Sequence, residues 1–338
     1  MAQLALDGAA VSSRRWRDGH PILWLALSRT LFGVLTLLAV SVIVFAATTV
    51  LPGNAAKAIL GQTATPARVR ALQLQLNLDH SVWYRYWAWL TDTARGNFGI
   101  SYAARIPAWQ VVGPRLANSA VLVLLAGVIG TVIGVGLGAL AAVRRGGRAD
   151  DVLAIVSLGV TSLPEFVVGI GLVIVFATTF WHLLPAVSLV APGSTAWQDP
   201  SVLVLPGATL VIVIVPYILR MTRAATIEAL ESDYLENARL KGLSPRRLLL
   251  VHALPNAIPP VVQVIGLNLL YLAGGIVVVE TLFAFPGIGQ GLVNAVDDRD
   301  VPVIQLTVLL LAAFYVFVNI VSDVVSLLAS PRRRLPRS

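Results

Sequence analysis

The sequence predicts an all-α, polytopic membrane protein with about six transmembrane helices. Three observations support this fold class. The 338-residue chain is 57% hydrophobic, and only 12% of its residues are charged, about half the fraction found in soluble domains. Its mean hydropathy is +0.81. Apolar runs long enough to cross a bilayer recur along the whole chain.

Six apolar runs approach or exceed the ~20 residues that a helix needs to cross a bilayer. They are Thr30–Leu51, Ala117–Val143, Val152–Thr179, Val202–Leu219, Ile258–Leu282 and Pro302–Ala329. In the second run, Gly127, Gly130, Gly134 and Gly138 recur at spacings of three and four, which places them on one helix face. This stripe predicts close packing against another helix, with a pore-lining role as the alternative.

Basic residues are distributed unevenly among the segments that connect these runs. Of the 25 Lys and Arg residues, 17 fall on the side that holds both chain ends. Because cytoplasmic segments carry more Lys and Arg, both ends are expected in the cytoplasm. The same topology explains the net charge of +8 without a nucleic-acid partner. The chain then divides into a cytoplasmic leader (1–29), a first helix (30–51), an extracytoplasmic segment (52–116), a core (117–329) and a basic cytoplasmic tail (330–338).

The extracytoplasmic segment is too long to be a simple connection and is expected to fold. Thr65-Pro66 is typical of a helix start, with an N-cap followed by a proline in the first turn. Trp83, Trp87 and Leu90 recur at helical spacing. This pattern favours an interfacial helix anchored by its aromatic side chains, and stacking on a substrate is the alternative.

The core contains a long cytoplasmic loop, 221–257, whose sequence predicts a helical elbow. Good helix formers fill Thr226–Lys241, and Gly242 is a natural stop for that helix. Ser244-Pro245 supplies a start for a second short helix, which Pro255 is expected to limit. A compact charged elbow of this kind suits docking into a groove of a soluble partner.

The elbow sequence resembles the Glu-Ala-Ala loop of ABC importer permeases. Matching residue types stand at the family's spacing at Glu236, Ala238, Gly242, Leu254 and Pro255. Asn237 replaces the first Ala of that pattern, and His252 replaces an aliphatic residue. Further tracts resemble the dipeptide and oligopeptide branch of the family: Leu51–Asn54, Gly96–Ser101, Ser162–Phe166, Glu280–Phe283, Phe285–Gly289 and Arg299–Pro302.

The resemblance implies the fold of an ABC type I importer permease in a bacterial inner membrane. It also implies a second homologous permease, two cytoplasmic ABC ATPase subunits, an extracytoplasmic substrate-binding protein and a peptide substrate. The chain has two lysines, Lys57 and Lys241, and neither lies in the Gly-Lys-Ser/Thr sequence of a phosphate-binding loop. ATP and Mg²⁺ are therefore expected on the partner ATPases. The expected ATPase-coupling residues are Glu236, Ala238, Arg239, Lys241, Gly242, His252, Leu254 and Pro255.

A second group of residues is expected to line the translocation path or its gate: Glu165, Glu280, Phe283, Phe285, Pro286 and Gly287. Ionisable groups within spans usually face protein or water. Glu280 could meet the ammonium group of a peptide or could brace the loop that follows it. The loop 283–291 could fold back as an outer gate or form an ordinary turn. Asp323, near the cytoplasmic end of its span, is expected to be structural.

Several alternatives remain open at this level. The same scaffold could import nickel chelates, glutathione or haem-type cargo. A membrane-embedded enzyme would need a metal or nucleophile motif, and neither His-Glu-x-x-His nor Gly-x-Ser-x-Gly occurs. The four scattered histidines and the absence of cysteine give no basis for a bound metal or cofactor. A passive channel would leave the elbow unexplained.

Overall fold

The structure is a computed structural model that describes residues 21–50, 65–75, 80–190 and 195–329. Predictions for residues 1–20, 51–64 and 330–338 lie outside the described residues. Within these ranges the regular structure is helical, apart from one bridge between Ile100 and Pro107. The helices are α1 (Pro21–Val50), α2 (Pro66–Gln75), α3 (Val82–Ala94), α4 (Ala108–Val143), α5 (Arg148–Thr161), α6 (Glu165–Thr178), α7 (Ser201–Leu230), α8 (Asp233–Leu240), α9 (Pro245–Leu282), α10 (Ile288–Asp297) and α11 (Val301–Ala329), together with a short 3₁₀ turn at Ala196–Gln198.

Five of the described helices are long and apolar enough to cross a membrane: α1, α4, α7, α9 and α11. The third predicted span, Val152–Thr179, is not one straight helix. It is divided between α5 and α6, which meet at 101° and together would make a sixth crossing. The break falls at Ser162–Pro164 because the residue before a proline avoids helical dihedral angles. The all-α membrane fold is therefore confirmed, and the third helix is corrected.

Several predicted spans are shorter than the helices that contain them. α1 begins at Pro21 rather than Thr30, α4 begins at Ala108 rather than Ala117, and α7 continues beyond Leu219 to Leu230. α4 and α7 contain prolines in their interiors, and membrane helices tolerate these where neighbouring groups satisfy the freed carbonyls. A span predicted from hydrophobicity covers only the apolar part of a helix, so it is too short where the helix continues into polar sequence.

The glycine stripe of α4 packs closely against other helices, as predicted: Gly130, Gly134 and Gly138 face α7, and Gly127 faces Leu269 of α9. A β-carbon added at Gly130 would meet Ile214 at 2.5 Å, and one at Gly138 would meet the Leu219 carbonyl oxygen at 2.6 Å. Only glycine allows the two backbones to approach this closely. α4 and α7 thus form the centre of the bundle, with α9 packed beside both.

α1 and α11 pack against each other at the side of this central bundle. The predicted structural role of Asp323 is confirmed, since its carboxylate forms a 2.7 Å ion pair with Arg29 of α1. A hydrogen bond of 2.9 Å from Gln305 to Thr48 joins the same two helices further along. These two contacts fix the register of α1 against α11.

The segment after α1 is folded, as expected, in the part that the structure describes. α2 begins at Pro66, directly after Thr65. α3 packs on α1 through Tyr86, which is buried and hydrogen-bonded to Ser41 at 2.9 Å. Its Trp83 and Trp87 side chains are 74% and 58% exposed. α3 therefore lies along the final third of α1 with an aromatic face turned outward, an arrangement suited to a membrane interface.

Candidate functional site

The elbow is formed by the end of α7, by α8 and by the start of α9. The sequence predicts one helix from Thr226 to Lys241, but the structure breaks it at Glu231–Ser232. Ser232 leaves the helical conformation (φ −73°, ψ 143°), and α8 restarts with Asp233 and Glu236 in its first turn. Acidic residues at a helix N-terminus are favourable because of the helix dipole. The break allows α8 to run in a different direction from α7.

Gly242 forms the sharp turn between α8 and α9, as the sequence predicts. Its φ is +81°, in the left-handed region that residues with a β-carbon avoid. Its amide donates to the Arg239 carbonyl at 3.0 Å, and the Leu243 amide donates to Ala238 at 3.4 Å. These bonds satisfy the last carbonyls of α8 in the manner of a glycine C-cap.

The second helix of the elbow does not stop at Pro255, which corrects the prediction. Ser244 and Pro245 start α9, and a wide π-turn at Leu248–Ala253 leads into the continuous helix Leu254–Leu282. A proline inside a helix clashes with the carbonyl four residues earlier. The wide turn directly before Pro255 relieves that clash by shifting the hydrogen bonds, so the helix continues into the membrane.

A small apolar core holds the elbow together. It contains Leu235 and Ala238 of α8 and Leu248 and Ala253 of α9. Ala238, predicted as a coupling residue, is therefore buried within the elbow. His252 is half-buried, and its Nδ1 lies 3.0 Å from the Tyr234 hydroxyl. This contact crosses from α8 to α9, and sequence analysis does not identify Tyr234.

The outer surface of the elbow combines charged and apolar side chains. Leu254 is half-buried, and the other predicted coupling residues are exposed: Glu236, Arg239, Lys241, Gly242 and Pro255. Between them, Leu240 is 81% exposed, and Tyr234, Leu250 and Val251 are each more than half exposed. Exposed apolar groups interspersed with charges within one short segment are typical of a protein-binding surface. We refer to Tyr234, Leu240, Leu250 and Val251 as the elbow patch.

Glu280 lies at the opposite end of α9 and is fully buried. Its carboxylate accepts a 2.5 Å hydrogen bond from the Ser119 hydroxyl and bonds from the amides of Gly289 and Gln290 at 2.7 and 3.1 Å. Ser119 in turn accepts a 2.7 Å bond from the Ile288 amide. The carboxylate thus caps the N-terminus of α10, where partial positive charge favours an anion. Of the two roles considered for Glu280, this geometry is that of a brace.

The loop that follows α9 is tightly packed and leads into α10, a helix that sequence analysis does not anticipate. Phe283 and Phe285 are fully buried, and the Pro286 carbonyl accepts from Asn118 at 3.1 Å. A β-carbon on Gly287 would overlap the Glu280 carboxylate, which explains the glycine. Since these aromatic side chains are buried, their contact with a substrate stays a prediction and would require the loop to move.

A second brace joins residues 101–103 to the start of α11 at the same end of the bundle. Asp300 is buried and accepts from the Ser101 hydroxyl and from the amides of Tyr102 and Ala103 at 3.0 and 3.2 Å. Burial and the neighbouring Asp300 carboxylate raise the pKa of Tyr102, so its hydroxyl stays protonated. Two tracts singled out in the sequence, 96–101 and 299–302, thus meet in space.

Glu165 lies at the first residue of α6, directly after the break in the third span. It is half-buried, and it accepts a 3.1 Å hydrogen bond from the hydroxyl of Tyr271 in the second half of α9. Sequence analysis predicts Glu165 as a path residue but does not identify Tyr271. The described residues contain no group of three or more His, Asp or Glu side chains placed to hold a metal ion. The expectation that this chain binds no cofactor stays a prediction.

Comparison with known proteins places the elbow and the bundle in one family. The model of the binding-protein-dependent transport system inner membrane component matches residues 134–335, and a model of the N-terminal part of such components matches residues 22–123. The chain is 35% identical to the probable peptide ABC transporter permease protein y4tP of Sinorhizobium fredii over 309 residues, 91% of this chain and 98% of that protein. It is 34% identical, over the same shares, to the glutathione transport system permease protein GsiC of Escherichia coli K12 and of Shigella flexneri.

These matches cover nearly the whole chain and agree with the observed architecture. The matched proteins are permease subunits of ABC transporters, which are transport components and not enzymes. A multi-pass helical bundle with a projecting helical elbow is consistent with that role. The chain belongs to the family of binding-protein-dependent transport system inner membrane components and is a permease subunit of an ABC importer.

Proposed function

We propose that this chain forms half of the translocation path of an importer for di- and oligopeptides in a bacterial inner membrane. A second homologous permease supplies the other half, and an extracytoplasmic binding protein delivers the peptide. Two cytoplasmic ATPase subunits bind ATP and Mg²⁺. Both chain ends and the elbow lie in the cytoplasm, as the excess of Arg and Lys on that side favours.

The elbow patch is the observation that supports this function most strongly. Its apolar side chains are exposed next to Glu236, Arg239 and Lys241, so the elbow offers both apolar and charged contacts to a soluble subunit. α9 begins in the elbow and runs as one 38-residue helix to Leu282. Closure of the ATPases on ATP would move this helix and alternate access to the path between the two membrane faces.

Peptide cargo is favoured by the names of the relatives. One is a probable peptide permease and the other a glutathione permease, and glutathione is itself a tripeptide. Glutathione is therefore the second candidate for the cargo of this chain. Uptake of labelled di- to pentapeptides and of glutathione by a deletion strain, with and without this chain, tests the cargo, and nickel and haem serve as controls. Uptake of nickel or haem alone would contradict the peptide assignment.

The coupling of ATP hydrolysis to transport is tested by replacing Gly242, at the turn of the elbow, with arginine. Gly242→Arg should abolish peptide uptake and peptide-stimulated ATP hydrolysis while the protein still inserts in the membrane. Gly96 gives a matched control, because it also has a positive φ (+83°) and open space around it. Gly96→Arg therefore carries the same backbone strain away from the elbow and should retain coupled transport. Normal coupling in Gly242→Arg would overturn the proposed role of the elbow.

A further inference from the structure

A cavity of about 540 Å³ opens between α7 and α9. Tyr217, Arg220 and Met221 line it from α7, and α9 contributes residues that include Asn268 and Tyr271. A volume of this size suits a small ligand. Unlike the apolar groove on the far side of α9, this cavity presents a guanidinium, an amide and two phenol groups.

The cavity lies within the membrane-spanning part of the bundle. Tyr217 is near the middle of α7, and Tyr271 lies eleven residues before the end of α9; both helices are candidate spans. Charged and amide side chains at this depth face protein or water, because contact with lipid is costly. The exposed residues of α4, such as Leu124, Val128 and Val132, are aliphatic and suit lipid. These polar groups suit a position of the cavity towards the interior of the complete transporter.

Four side chains form a row that runs from Glu165 of α6, beside the cavity, to Arg220 in its wall, and we name it the charged row. At one end, Glu165 accepts the 3.1 Å hydrogen bond from Tyr271. The ring centroids of Tyr271 and Tyr217 are 6.4 Å apart. At the other end, the Arg220 guanidinium lies 5.4 Å from the centroid of the Tyr217 ring, within the range of a cation–π contact.

Neither charge of the row is neutralised by an ion pair among the described residues. The nearby Arg223 differs, since it forms a bidentate pair with Asp150 at 2.6 and 2.7 Å. A carboxylate and a guanidinium within a membrane bundle are thus held apart by two aromatic rings. A ligand with one positive and one negative group at separate ends would complement both charges, whereas a singly charged ligand would leave one unmatched.

We propose that the charged row binds a short zwitterionic peptide during its passage, with the peptide carboxylate at Arg220 and the peptide ammonium at Glu165. The two tyrosine rings provide apolar contact for the peptide between its ends. This inference rests on the proposed function and adds the residues and the charge pattern by which the path selects its cargo. Tyr217, Tyr271 and Arg220 become binding residues that the sequence pattern does not reveal.

Equilibrium binding to the purified complex of both permeases and the ATPases, without the binding protein, tests this proposal. The probes are trialanine, N-acetyl-trialanine and trialanine amide, measured by titration calorimetry with and without nucleotide. Arg220→Gln should weaken trialanine binding about tenfold and leave the amide unaffected. Glu165→Gln should weaken trialanine by a similar factor and leave the N-acetyl peptide unaffected. Arg220→Lys, which keeps the charge, should retain the preference for a free carboxylate.

Arg144→Gln and Asp151→Asn are matched controls on exposed residues outside the cavity, and they should bind all three peptides as the unmodified complex does. Equal weakening of all three peptides by the row variants would overturn the proposal. Failure of the unmodified complex to bind trialanine in every nucleotide state, while cells still take up peptides, would also overturn it and leave the transporter assignment intact. Absence of all peptide uptake by cells would instead contradict the proposed function.

Discussion

The two ends of α9 are constructed in opposite ways. At the elbow, charged side chains and the apolar groups of the elbow patch are exposed, and the core beneath them is small. At the other end, Glu280 is 0% exposed and its carboxylate binds three donors, while Phe283 and Phe285 are fully buried. An exposed surface of this kind is suited to a partner, whereas a buried and satisfied network stabilises one arrangement of the chain. Substitutions should therefore affect stability at one end and assembly at the other.

The largest loss of stability is expected from Glu280→Ala. Removal of the carboxylate leaves the Ser119 hydroxyl and the amides of Gly289 and Gln290 without their acceptor, which should cost about 3 kcal/mol. Unfolding in mixed detergent micelles measures this loss. Glu228→Ala, at an exposed position of α7, is the control and should unfold as the unmodified protein does. Equal stability of the two variants would show that the brace contributes nothing.

A second, smaller loss is expected from Gly138→Ala in the contact between α4 and α7. The added β-carbon would meet the Leu219 carbonyl oxygen, and the resulting shift of α4 from α7 should cost about 2 kcal/mol. Gly136→Ala provides the control on the same helix, because nothing lies within 4 Å of its added β-carbon. That variant should be unchanged or more stable by up to about 1 kcal/mol. The same unfolding measurement compares the stabilities of Gly138→Ala and Gly136→Ala, and equal values would show that the contact between α4 and α7 tolerates the added β-carbon.

At the elbow, Tyr234→Phe should have only a small effect on stability. It removes the hydrogen bond to His252 Nδ1 but retains the aromatic contact, whose ring centroids are 5.8 Å apart. The partly exposed bond should contribute about 0.5 kcal/mol. His252→Phe, which removes the same bond from the other side, should show a similar loss. A loss at Tyr234 as large as that at Glu280 would remove the contrast between the two ends.

The smallest change in stability is expected from Leu240→Asp, which should stay within about 0.5 kcal/mol because Leu240 is 81% exposed. Binding of the ATPase subunits should nevertheless fall, since a carboxylate would enter an apolar contact. Co-purification with the ATPases measures this effect. Asp233→Asn, an exposed change at the start of α8, is the control. Full retention of the ATPases by Leu240→Asp would show that the elbow patch is not a docking surface.

Several features could be predicted from the sequence because the physical signal is local. Apolar runs of bilayer length identify the long spans. Gly242 followed by Ser244-Pro245 identifies the elbow turn, since each residue type favours one backbone conformation. The stripe from Gly127 to Gly138 identifies the packing face of α4. In each case the determining residues lie within one helix or one turn of the chain.

Other features depend on residues far apart in the chain and could not be predicted in this way. Ser101 and Asp300 are 199 positions apart, and Ser119 and Glu280 are 161 apart. The break at Ser162–Pro164 was hidden because proline is tolerated inside many membrane helices, including α7. The π-turn before Pro255 depends on the packing of the elbow core. The charged row appears only when α6, α7 and α9 are brought together.

The prolines of α9 are concentrated next to its π-turn, at Pro255, Pro259 and Pro260. Each proline lacks an amide hydrogen, so this stretch has the fewest backbone hydrogen bonds of the helix and bends at the lowest cost. From Val261 to Leu282 the helix contains no proline, and this part is about 33 Å long at 1.5 Å per residue. α9 therefore bends most easily in its proline-rich stretch, whereas the segment from Val261 to Leu282 is stiffer because its backbone hydrogen bonds are continuous. Motion that starts at this stretch would be transmitted along α9 to its other end, where the Glu280 carboxylate caps the N-terminus of α10.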